Sequence, residues 1–244
     1  MDDHEQAHLE RIAADSLYAA GLNAATIDYS FRILRRHLRG RTLLELGPAE
    51  GVMTDLLAGT GQALTLVEGS ARFCEDLRRR HPQAEVVHAL FEDYAPAGRF
   101  DTIVLGHVLE HVNDPVQILS RARGWLAPGG RVFAAVPNAL SVHRQAAVLM
   151  GLLPRESALN EMDRHHGHRR VFDPASFRGA FLEAGLAIEL FGGYWMKPLS
   201  NRQLEAHWTP AMIEAFMQLG ERYPDIAGEI YVLASAGTGA PKEA

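Results

Sequence analysis

The chain has 244 residues, is 47% hydrophobic and carries a formal net charge of −6. This length is enough for one α/β domain with a full core, and the acidic total excludes a general basic field of the kind that holds nucleic acid. The sequence has no apolar run of about 18 residues, begins with charged residues and contains one cysteine, Cys74. We therefore expect a cytoplasmic protein without a membrane span, a signal peptide or an internal disulfide.

The predicted elements alternate after two N-terminal helices. Apolar periodicity predicts those helices over residues 4–20 and 26–39, with a break at Gly21. Strands are expected at 42–46, 63–67, 85–88, 101–105, 131–136, 186–191 and 229–235. The helices that alternate with them are expected at 52–59, 70–80, 114–125, 174–184 and 209–220. This alternation predicts an α/β fold with a doubly wound, mostly parallel sheet of seven strands.

The segment 138–172 does not fit this alternation, because it is too long for a simple connection between the fifth strand and the next helix. It is rich in arginine and histidine, and long insertions at the ligand edge of an α/β sheet are usually functional. We therefore divide the chain into an N-terminal helical cap (1–40), a core (41–137), this active-site insert or lid, and a C-terminal part of the same sheet (173–236). The tail, 237–244, is expected to fray.

The most informative stretch is 42–51, where a short apolar strand ends at glycine and a helix follows. Backbone N–H groups at such a helix start bind ligands, and Gly47 and Gly51 allow close approach because they lack a Cβ atom. Glu45 suits a cationic or amino-bearing ligand. Glu50 would repel the pyrophosphate of a dinucleotide, which weighs against an NAD-dependent reductase on a similar sheet.

This stretch resembles motif I of the class I S-adenosylmethionine (SAM) methyltransferases, and Glu68 matches the acid that ends the second strand in that family. Residues 99–115 resemble the family's fourth strand with its loop, and 126–138 resemble its turn into the fifth strand. Three motifs in this order imply a Rossmann-like methyltransferase that binds SAM and has an antiparallel seventh strand. The sequence departs from the motif at Ala49, where the family usually has glycine.

The resemblance also implies which residues bind the cofactor. The expected set is Glu45, Gly47, Gly51, Glu68, Phe91, Glu92 and Gly106. Motif I would hold the methionine moiety, and Glu68 would accept hydrogen bonds from the ribose hydroxyls. The family's adenine-binding aspartate falls at Leu90 here, so we expect the backbone N–H of Phe91 to meet the ring and Glu92 to accept from its amine.

The loop after the fourth strand contains two histidines and an acid, His107, Glu110 and His111. We expect His107 to line the methyl-transfer pocket as a catalytic residue. One related group, the ubiquinone-pathway O-methyltransferases, has metal-binding acids and a histidine in the matching loop. Since histidine replaces an acid at position 107 here, we predict that no metal is bound.

The insert supplies further candidates. His168 matches a histidine that precedes the penultimate helix in many small-molecule methyltransferases, and it is expected to act as a general base or as a hydrogen-bond partner of the substrate. The alternative is that His168 is a structural brace. Arg144, Arg169 and Arg170 are expected to bind an anionic acceptor. Tyr29, in the second N-terminal helix, either reaches the acceptor or belongs to the core.

The resulting prediction is a SAM-dependent methyltransferase that acts on a small polar, anionic molecule by O-, N- or C-methylation. We expect no nucleic-acid and no membrane partner, and the sequence carries no signal for an oligomeric state. One alternative is a carrier-bound intermediate or a sugar nucleotide as the acceptor, which the arginine-rich insert would hold by its phosphate. Another is a SAM-binding module without catalysis.

Overall fold

The structure is a computed structural model that describes residues 3–16 and 19–237. Within these residues the helices are α1 (Asp3–Ala14), α2 (Gly21–Arg35), α3 (Val52–Ala58), α4 (Ala71–Arg80), α5 (Pro115–Trp125), α6 (Val142–Leu149), α7 (Glu161–His165), α8 (Pro174–Glu183), α9 (Asn201–Glu205) and α10 (Pro210–Arg222). The strands are β1 (Thr42–Leu46), β2 (Ala63–Glu68), β3 (Glu85–His88), β4 (Phe100–Gly106), β5 (Leu126–Pro137), β6 (Ala187–Tyr194) and β7 (Glu229–Ser235). Among these described helices, none has the length and hydropathy needed to cross a bilayer.

These strands form one seven-stranded sheet in the order β3-β2-β1-β4-β5-β7-β6. Strands β1 to β5 pair in parallel, whereas β7 runs antiparallel to both of its neighbours. The predicted doubly wound, Rossmann-like sheet is therefore confirmed. The strand order reverses between β1 and β4, and open α/β sheets bind ligands beyond the carboxyl ends of strands at such a point.

Local signals explain why the helices flanking the site begin where they do. At α5, Asp114 accepts a hydrogen bond from the backbone N–H of Gln117 at 3.0 Å, and proline occupies the first turn. At α8, the Asp173 carboxylate accepts from Ser176 N–H at 2.7 Å in a capping box. These caps fix the points at which the loop after β4 and the insert end.

Apolar side chains cover both faces of the sheet. On one face, α5 and α8 bury residues such as Ile118 and Phe177 against the strands. On the other, α2, α3 and α10 bury Ile33, Leu57 and Met217. Burial of a side chain of this size stabilises the fold by about 1.5–3 kcal/mol. The helix layers hold the sheet rigidly and leave its carboxyl edge available for ligands.

Several boundaries differ from the sequence-based expectation. Helix α1 ends at Ala14 rather than at 20, and residues 17–18 of the expected helix lie outside the described residues. Helix α2 begins at Gly21, the expected break, because a tertiary contact caps it: Glu205 accepts a hydrogen bond from Leu22 N–H at 2.8 Å. Strand β5 begins at Leu126, ahead of the expected turn, since this residue already pairs with β4.

Three short helices, α6 and α7 in the insert and α9 after β6, were not predicted. Each is eight residues long or shorter, too short for periodicity to reveal. Of the tail expected to fray, residues 238–244 lie outside the described part of the chain.

Candidate active site

Among the described residues, three adjacent cavities follow the carboxyl edge of the sheet, and His107 lines all three. The first cavity, of about 300 Å³, lies beyond the ends of β2 and β3. The second, of about 50 Å³, lies between α2 and the turn after β1. The third, of about 590 Å³, lies between the insert and the segment after β6. The site thus has two compartments along the predicted cofactor motifs and one large compartment beside the insert.

Glu68 ends β2 and lines the first cavity with a buried carboxylate. Its Oε2 accepts a hydrogen bond from Ala49 N–H at 3.0 Å, and its Oε1 accepts one from Ser70 N–H at 2.8 Å. Burial raises the pKa of this carboxyl group, and the backbone donors oppose the shift. Each carboxylate oxygen retains a second lone pair, so Glu68 can still accept hydrogen bonds from two ribose hydroxyls.

The rest of the first cavity is largely apolar. Leu90 and Phe91 form part of its wall, with Glu92 beside them. Leu9 and Ile12 of α1 line the same space. A slot with apolar walls and one carboxylate fits a flat ring that bears an amine, so this position supports the adenine site expected at Phe91 and Glu92.

The turn after β1 requires glycine for two reasons. Gly47 and Gly51 have φ angles of 65° and 79°, in the left-handed region that favours glycine. A Cβ atom at Gly47 would lie 3.0 Å from Val108 Cγ2, and one at Gly51 would lie 2.9 Å from Leu77 Cδ2. Both glycines are therefore needed for the backbone conformation and for the close packing of the turn against its surroundings.

Ala49 has a φ of 48° in the same turn, so a residue with a Cβ atom occupies the left-handed region. We expect Ala49→Gly to raise the melting temperature, because relief of about 1–2 kcal/mol of strain exceeds the added chain entropy of about 0.4–1 kcal/mol. Scanning calorimetry measures the change. The control, Ala215→Gly at an exposed position inside α10, is expected to lower the melting temperature. A lower value for both variants would contradict the prediction.

Glu45 lies beneath this turn near the end of β1 and lines the second cavity with Gly51 and Gly106. Its buried carboxyl group accepts a hydrogen bond from Thr54 Oγ1 at 2.7 Å. Burial raises the pKa of Glu45 to about 8, against the effect of the Thr54 hydrogen bond. A cationic amine in the second cavity would favour the ionised form, so this position supports the expected site for the methionine moiety.

His107 follows Gly106 at the end of β4 and also has a left-handed backbone, with a φ of 57°. Its N–H donates to the carbonyl oxygen of Ala135 at 2.9 Å. The imidazole Nδ1 lies 3.4 Å from Glu110 Oε1 and 3.9 Å from Glu229 Oε2, and the buried Nε2 has no hydrogen-bond partner. Strained backbone at a cavity junction, with one ring nitrogen held and the other unsatisfied, is typical of a functional residue.

The charges around His107 form a coupled pair. Burial alone would lower the pKa of His107, but the pairing with Glu110 and the charge of Glu229 raise it to about 9. Burial alone would raise the pKa of Glu110, but His107 and the neighbouring histidines lower it to about 2. At neutral pH the pair is therefore an imidazolium next to a carboxylate. His107 becomes a proton acceptor once it is neutral.

Two charged residues of the third cavity, Glu229 and Lys197, were missed from the sequence. Glu229 begins β7, and because that strand is antiparallel its first residue pairs with Pro137 at the end of β5. The antiparallel direction was therefore the signal that could have placed Glu229 at the ligand edge. Lys197 lies in the connection after β6, where no motif marks it.

His168 lines the third cavity from the insert. Its side chain is 7% exposed, and its Nδ1 lies 3.5 Å from Asp163 Oδ1. The ring packs edge-on against His111, with centroids 4.8 Å apart. The position of His168 in the cavity wall supports the catalytic role expected for it. The burial of its side chain supports the alternative role of a structural brace.

Replacing His168 with alanine distinguishes these two roles. We expect lower turnover with nearly constant affinity for SAM, because the side chain lines the third cavity and not the other two. Initial rates, calorimetric SAM affinity and the melting temperature are measured on the one variant. A joint fall in melting temperature and SAM affinity would identify a brace, and a stable, fully active variant would exclude both roles.

The three arginines expected at the acceptor make other contacts. Arg144 lines the third cavity, but its side chain is buried, donates to a backbone carbonyl of the insert at 2.7 Å and pairs with Asp163 at 3.1 Å. Arg169 and Arg170 donate to carbonyl oxygens of the loop after β4 at 2.6 and 2.9 Å. Neither lines any of the three cavities. The Arg144 guanidinium therefore holds the insert together, and those of Arg169 and Arg170 bind the insert to the loop after β4.

Tyr29 is also not brought to the site. Its ring is buried on the α2 side of the sheet and stacks on Tyr194, with centroids 5.7 Å apart. Its hydroxyl donates a hydrogen bond to Glu221 in α10. Tyr29 thus takes the second of the two roles considered for it, that of a core residue.

One group of described residues has the donors for a metal ion, and it differs from the set suggested by the related family. Ligand atoms of Glu110, His111 and His168 lie within 4.8 Å of one another. Burial lowers the pKa of His111 to about 4, so its imidazole is neutral, as a metal ligand must be. However, Glu110 is already paired with the charged His107, whose imidazolium opposes a second cation.

Metal-independence therefore stays a prediction. We expect dialysis against EDTA to leave the initial rate of methyl transfer unchanged, because the charge of Glu110 is already balanced by His107. Metal analysis of the dialysed enzyme accompanies the rate measurement. Loss of activity that added Mg²⁺ or Zn²⁺ restores would contradict the prediction and identify Glu110, His111 and His168 as ligands.

Comparison with known proteins identifies methyltransferases, in agreement with the cofactor motifs that line the site. A family model described as a methyltransferase domain matches residues 15–190. Two similar curated proteins are named ubiquinone biosynthesis O-methyltransferase. The one from Thiobacillus denitrificans is 28% identical over 176 residues, which is 68% of this chain and 73% of that protein. The one from Xanthomonas euvesicatoria is 26% identical over 189 residues, which is 74% of this chain and 76% of that protein.

Solved structures share the fold at lower identity. The N-methyltransferase NodS from Bradyrhizobium japonicum, in complex with S-adenosyl-L-homocysteine, aligns with a TM-score of 0.62 and 16% identity, covering 95% of this chain and 98% of that one. A putative methyltransferase in complex with the Trm112 activator from Haloferax volcanii aligns with a TM-score of 0.63 and 17% identity, covering 92% and 97%. At such identities the similarity establishes the fold alone.

Proposed function

The chain belongs to the class I SAM-dependent methyltransferases, and from this premise we propose that it methylates a hydroxyl oxygen of a small polar molecule. It is a methyltransferase with SAM as its cofactor, which excludes the NAD-dependent reductase and the module without catalysis. The name O-methyltransferase carried by the curated relatives supports oxygen as the acceptor atom. The acceptor compartment of about 590 Å³ supports a small molecule as the acceptor rather than a nucleic acid or a membrane.

The observation that carries this proposal is the position of His107. Residues of the cofactor motifs line the first and second cavities, whereas the insert and the segment after β6 line the third. A methyl group passes from cofactor to acceptor only where both compartments meet, and His107 lines that junction. Holding the two reactants in line there supplies up to about 7–11 kcal/mol of the barrier when the geometry is ideal.

His107 is the proposed general base. Bound SAM supplies the electrophilic methyl group on a sulfonium. The neutral Nε2 of His107 would take the proton of the acceptor hydroxyl. The oxygen could then bond to the methyl carbon, and the electrons of the broken C–S bond would remain on sulfur. Glu110 faces Nδ1 and stabilises the imidazolium that forms. Because His107 is charged at neutral pH, the step requires the minor, neutral form.

The alternative of a phosphate-bearing or carrier-bound acceptor has less support. It depended on the arginines of the insert, and Arg169 and Arg170 are bound to backbone carbonyls away from the third cavity. Nitrogen remains the second candidate for the acceptor atom, because a neutral amine needs no general base.

The test is an assay with methyl-labelled SAM on matched panels of phenols, alcohols, amines and phosphate esters, with mass spectrometry of the products. We expect label on oxygen in small hydroxylated compounds. Labelling confined to nitrogen, or to phosphate-bearing compounds alone, would overturn the proposal.

A further inference from the structure

Lys197 is one of two lysines in the chain, the other being Lys242. Its side chain lines the third cavity. Among the described residues it has no carboxylate within the 4.0 Å of an ion pair and no hydrogen-bond acceptor. Burial lowers the pKa of its ammonium, while the more distant Glu229 and Asp163 raise it. Lys197 is partly buried in the cavity wall and has no anionic partner there among the described residues, so an anion in the cavity would supply one.

His143, in α6, presents a second unsatisfied group to the same cavity. Its Nδ1 is buried and has no hydrogen-bond partner. Burial, together with the nearby charge of Lys197, lowers the pKa of His143 to about 3. His143 is therefore a neutral imidazole near the ammonium, able to donate one hydrogen bond from the ring nitrogen that bears the proton.

We propose that Lys197 and His143 bind a carboxylate of the methyl acceptor, while the hydroxyl to be methylated faces His107. This inference rests on the proposed function and names the substrate class as a hydroxy acid. Both recognition residues and His107 line the same cavity. Lys197 lies beyond residues 15–190, the part that the family model matches.

The other charges of the cavity favour a carboxylate over a phosphate. Glu229 and Asp163 also line it, and each is buried. A dianionic phosphate would be repelled by these acids, and the fork of Arg144 that would suit it is already paired with Asp163. Arg202 and Glu205, which carry opposite charges, also line the cavity. The Lys197 ammonium and the neutral His143 donor therefore remain to match a monoanion.

Lys197 is also not required as the counter-ion of Glu229. The Glu229 carboxylate lies 3.9 Å from the imidazolium of His107, whereas no ion pair joins it to Lys197 within the described residues. A purely structural Lys197 would nonetheless predict that its loss lowers stability and SAM affinity. The experiment separates that outcome from acceptor recognition.

The binding test uses two probes of the same shape, 4-hydroxyphenylacetate and 4-hydroxyphenylacetamide, titrated into the full chain saturated with S-adenosylhomocysteine. We expect the wild type to bind the carboxylate at least about tenfold more tightly than the amide, and Lys197→Met to lose that difference. The control Arg222→Met removes an exposed cation that lines none of the cavities and is expected to keep it. Affinity for S-adenosylhomocysteine is expected to be equal in all three proteins.

A second readout follows the lysine itself. With two lysines in the chain, ¹³C-lysine labelling gives two Cε signals, and Lys242→Met assigns them. We expect 4-hydroxyphenylacetate, and not its amide, to shift the Lys197 signal. If the enzyme methylates the hydroxyl of 4-hydroxyphenylacetate, Lys197→Met is expected to raise the KM for this compound and to leave kcat nearly unchanged.

The inference would be overturned if the two probes bound equally well or if neither bound at millimolar concentration. It would also be overturned if Lys197→Met kept the wild-type preference for the carboxylate. A variant whose melting temperature and S-adenosylhomocysteine affinity fall together would overturn it as well. If the carboxylate preference and its dependence on Lys197 are present but methylation falls on nitrogen, the proposed function fails while the binding role of Lys197 stands.

Discussion

Replacing His107 with asparagine is expected to lower kcat by about 10²- to 10⁴-fold, with little change in the affinity for SAM. Asparagine tolerates the left-handed backbone that His107 adopts, so the loop is expected to keep its conformation. The substitution removes the ring nitrogen that is unsatisfied at the junction of the three cavities. Single-turnover rates with a methylated acceptor, together with calorimetric SAM affinity, measure both quantities.

The pH dependence gives this prediction its sharpest form. The pKa of His107 is raised to about 9, so its neutral form, which accepts the proton, grows as the pH rises toward that value. We expect kcat of the wild type to increase from neutral pH toward about 9. Glu110→Gln removes the paired charge, so the activity of this variant is expected to rise at lower pH than that of the wild type. His37 lines none of the three cavities, so His37→Asn should retain the wild-type profile. A flat profile in the wild type, or an active His107→Asn, would show that another group takes the proton.

The same shift affects stability. A histidine whose pKa is raised in the folded state stabilises the fold fully below its ordinary value of 6.5, and this contribution is lost as the pH rises through about 9. Activity and stability therefore respond to pH in opposite directions at His107.

The cofactor half of the site was predictable because backbone geometry dictates its sequence. Gly47 and Gly51 require positive φ, and Glu68 must end its strand within reach of Ala49 N–H, so their spacing is visible in the chain. The sheet follows from the same regularity, since buried strands and amphipathic helices repeat with fixed periods. Predictions for β1, β3 and β7 coincide with the observed bounds.

The acceptor half was less predictable, because it depends on which partner each charge finds after folding. The arginines of the insert were expected to bind an anionic acceptor, yet Arg144 pairs with the buried Asp163 and Arg169 donates to a backbone carbonyl. Conversely, Glu229 and Lys197 carry no local motif, and antiparallel pairing together with the connection after β6 brings them to the cavity. Sequence spacing reports local geometry, whereas these contacts are set by tertiary packing.

The Glu68 carboxylate is expected to have the largest effect on cofactor binding. It is predicted to accept both ribose hydroxyls, and each hydrogen bond to a charged group contributes about 1.5–3 kcal/mol. We therefore expect Glu68→Ala to weaken SAM binding by about 10²-fold or more. Isothermal titration with SAM and with S-adenosylhomocysteine measures the loss.

Glu68 also accepts hydrogen bonds from Ala49 N–H and Ser70 N–H, so Glu68→Ala leaves two backbone donors unpaired and is expected to lower the melting temperature. Glu68→Gln separates these effects, because the amide oxygen keeps one acceptor for the backbone while the charge is lost. We expect the glutamine variant to fold with a smaller loss of stability and still to bind SAM at least about tenfold more weakly. Glu85→Gln, an exposed acid at the start of β3, serves as the matched control and should bind SAM as the wild type does. If folded Glu68→Gln and Glu68→Ala both keep wild-type affinity, the ribose does not lie at Glu68, and the first cavity must hold the cofactor in another orientation.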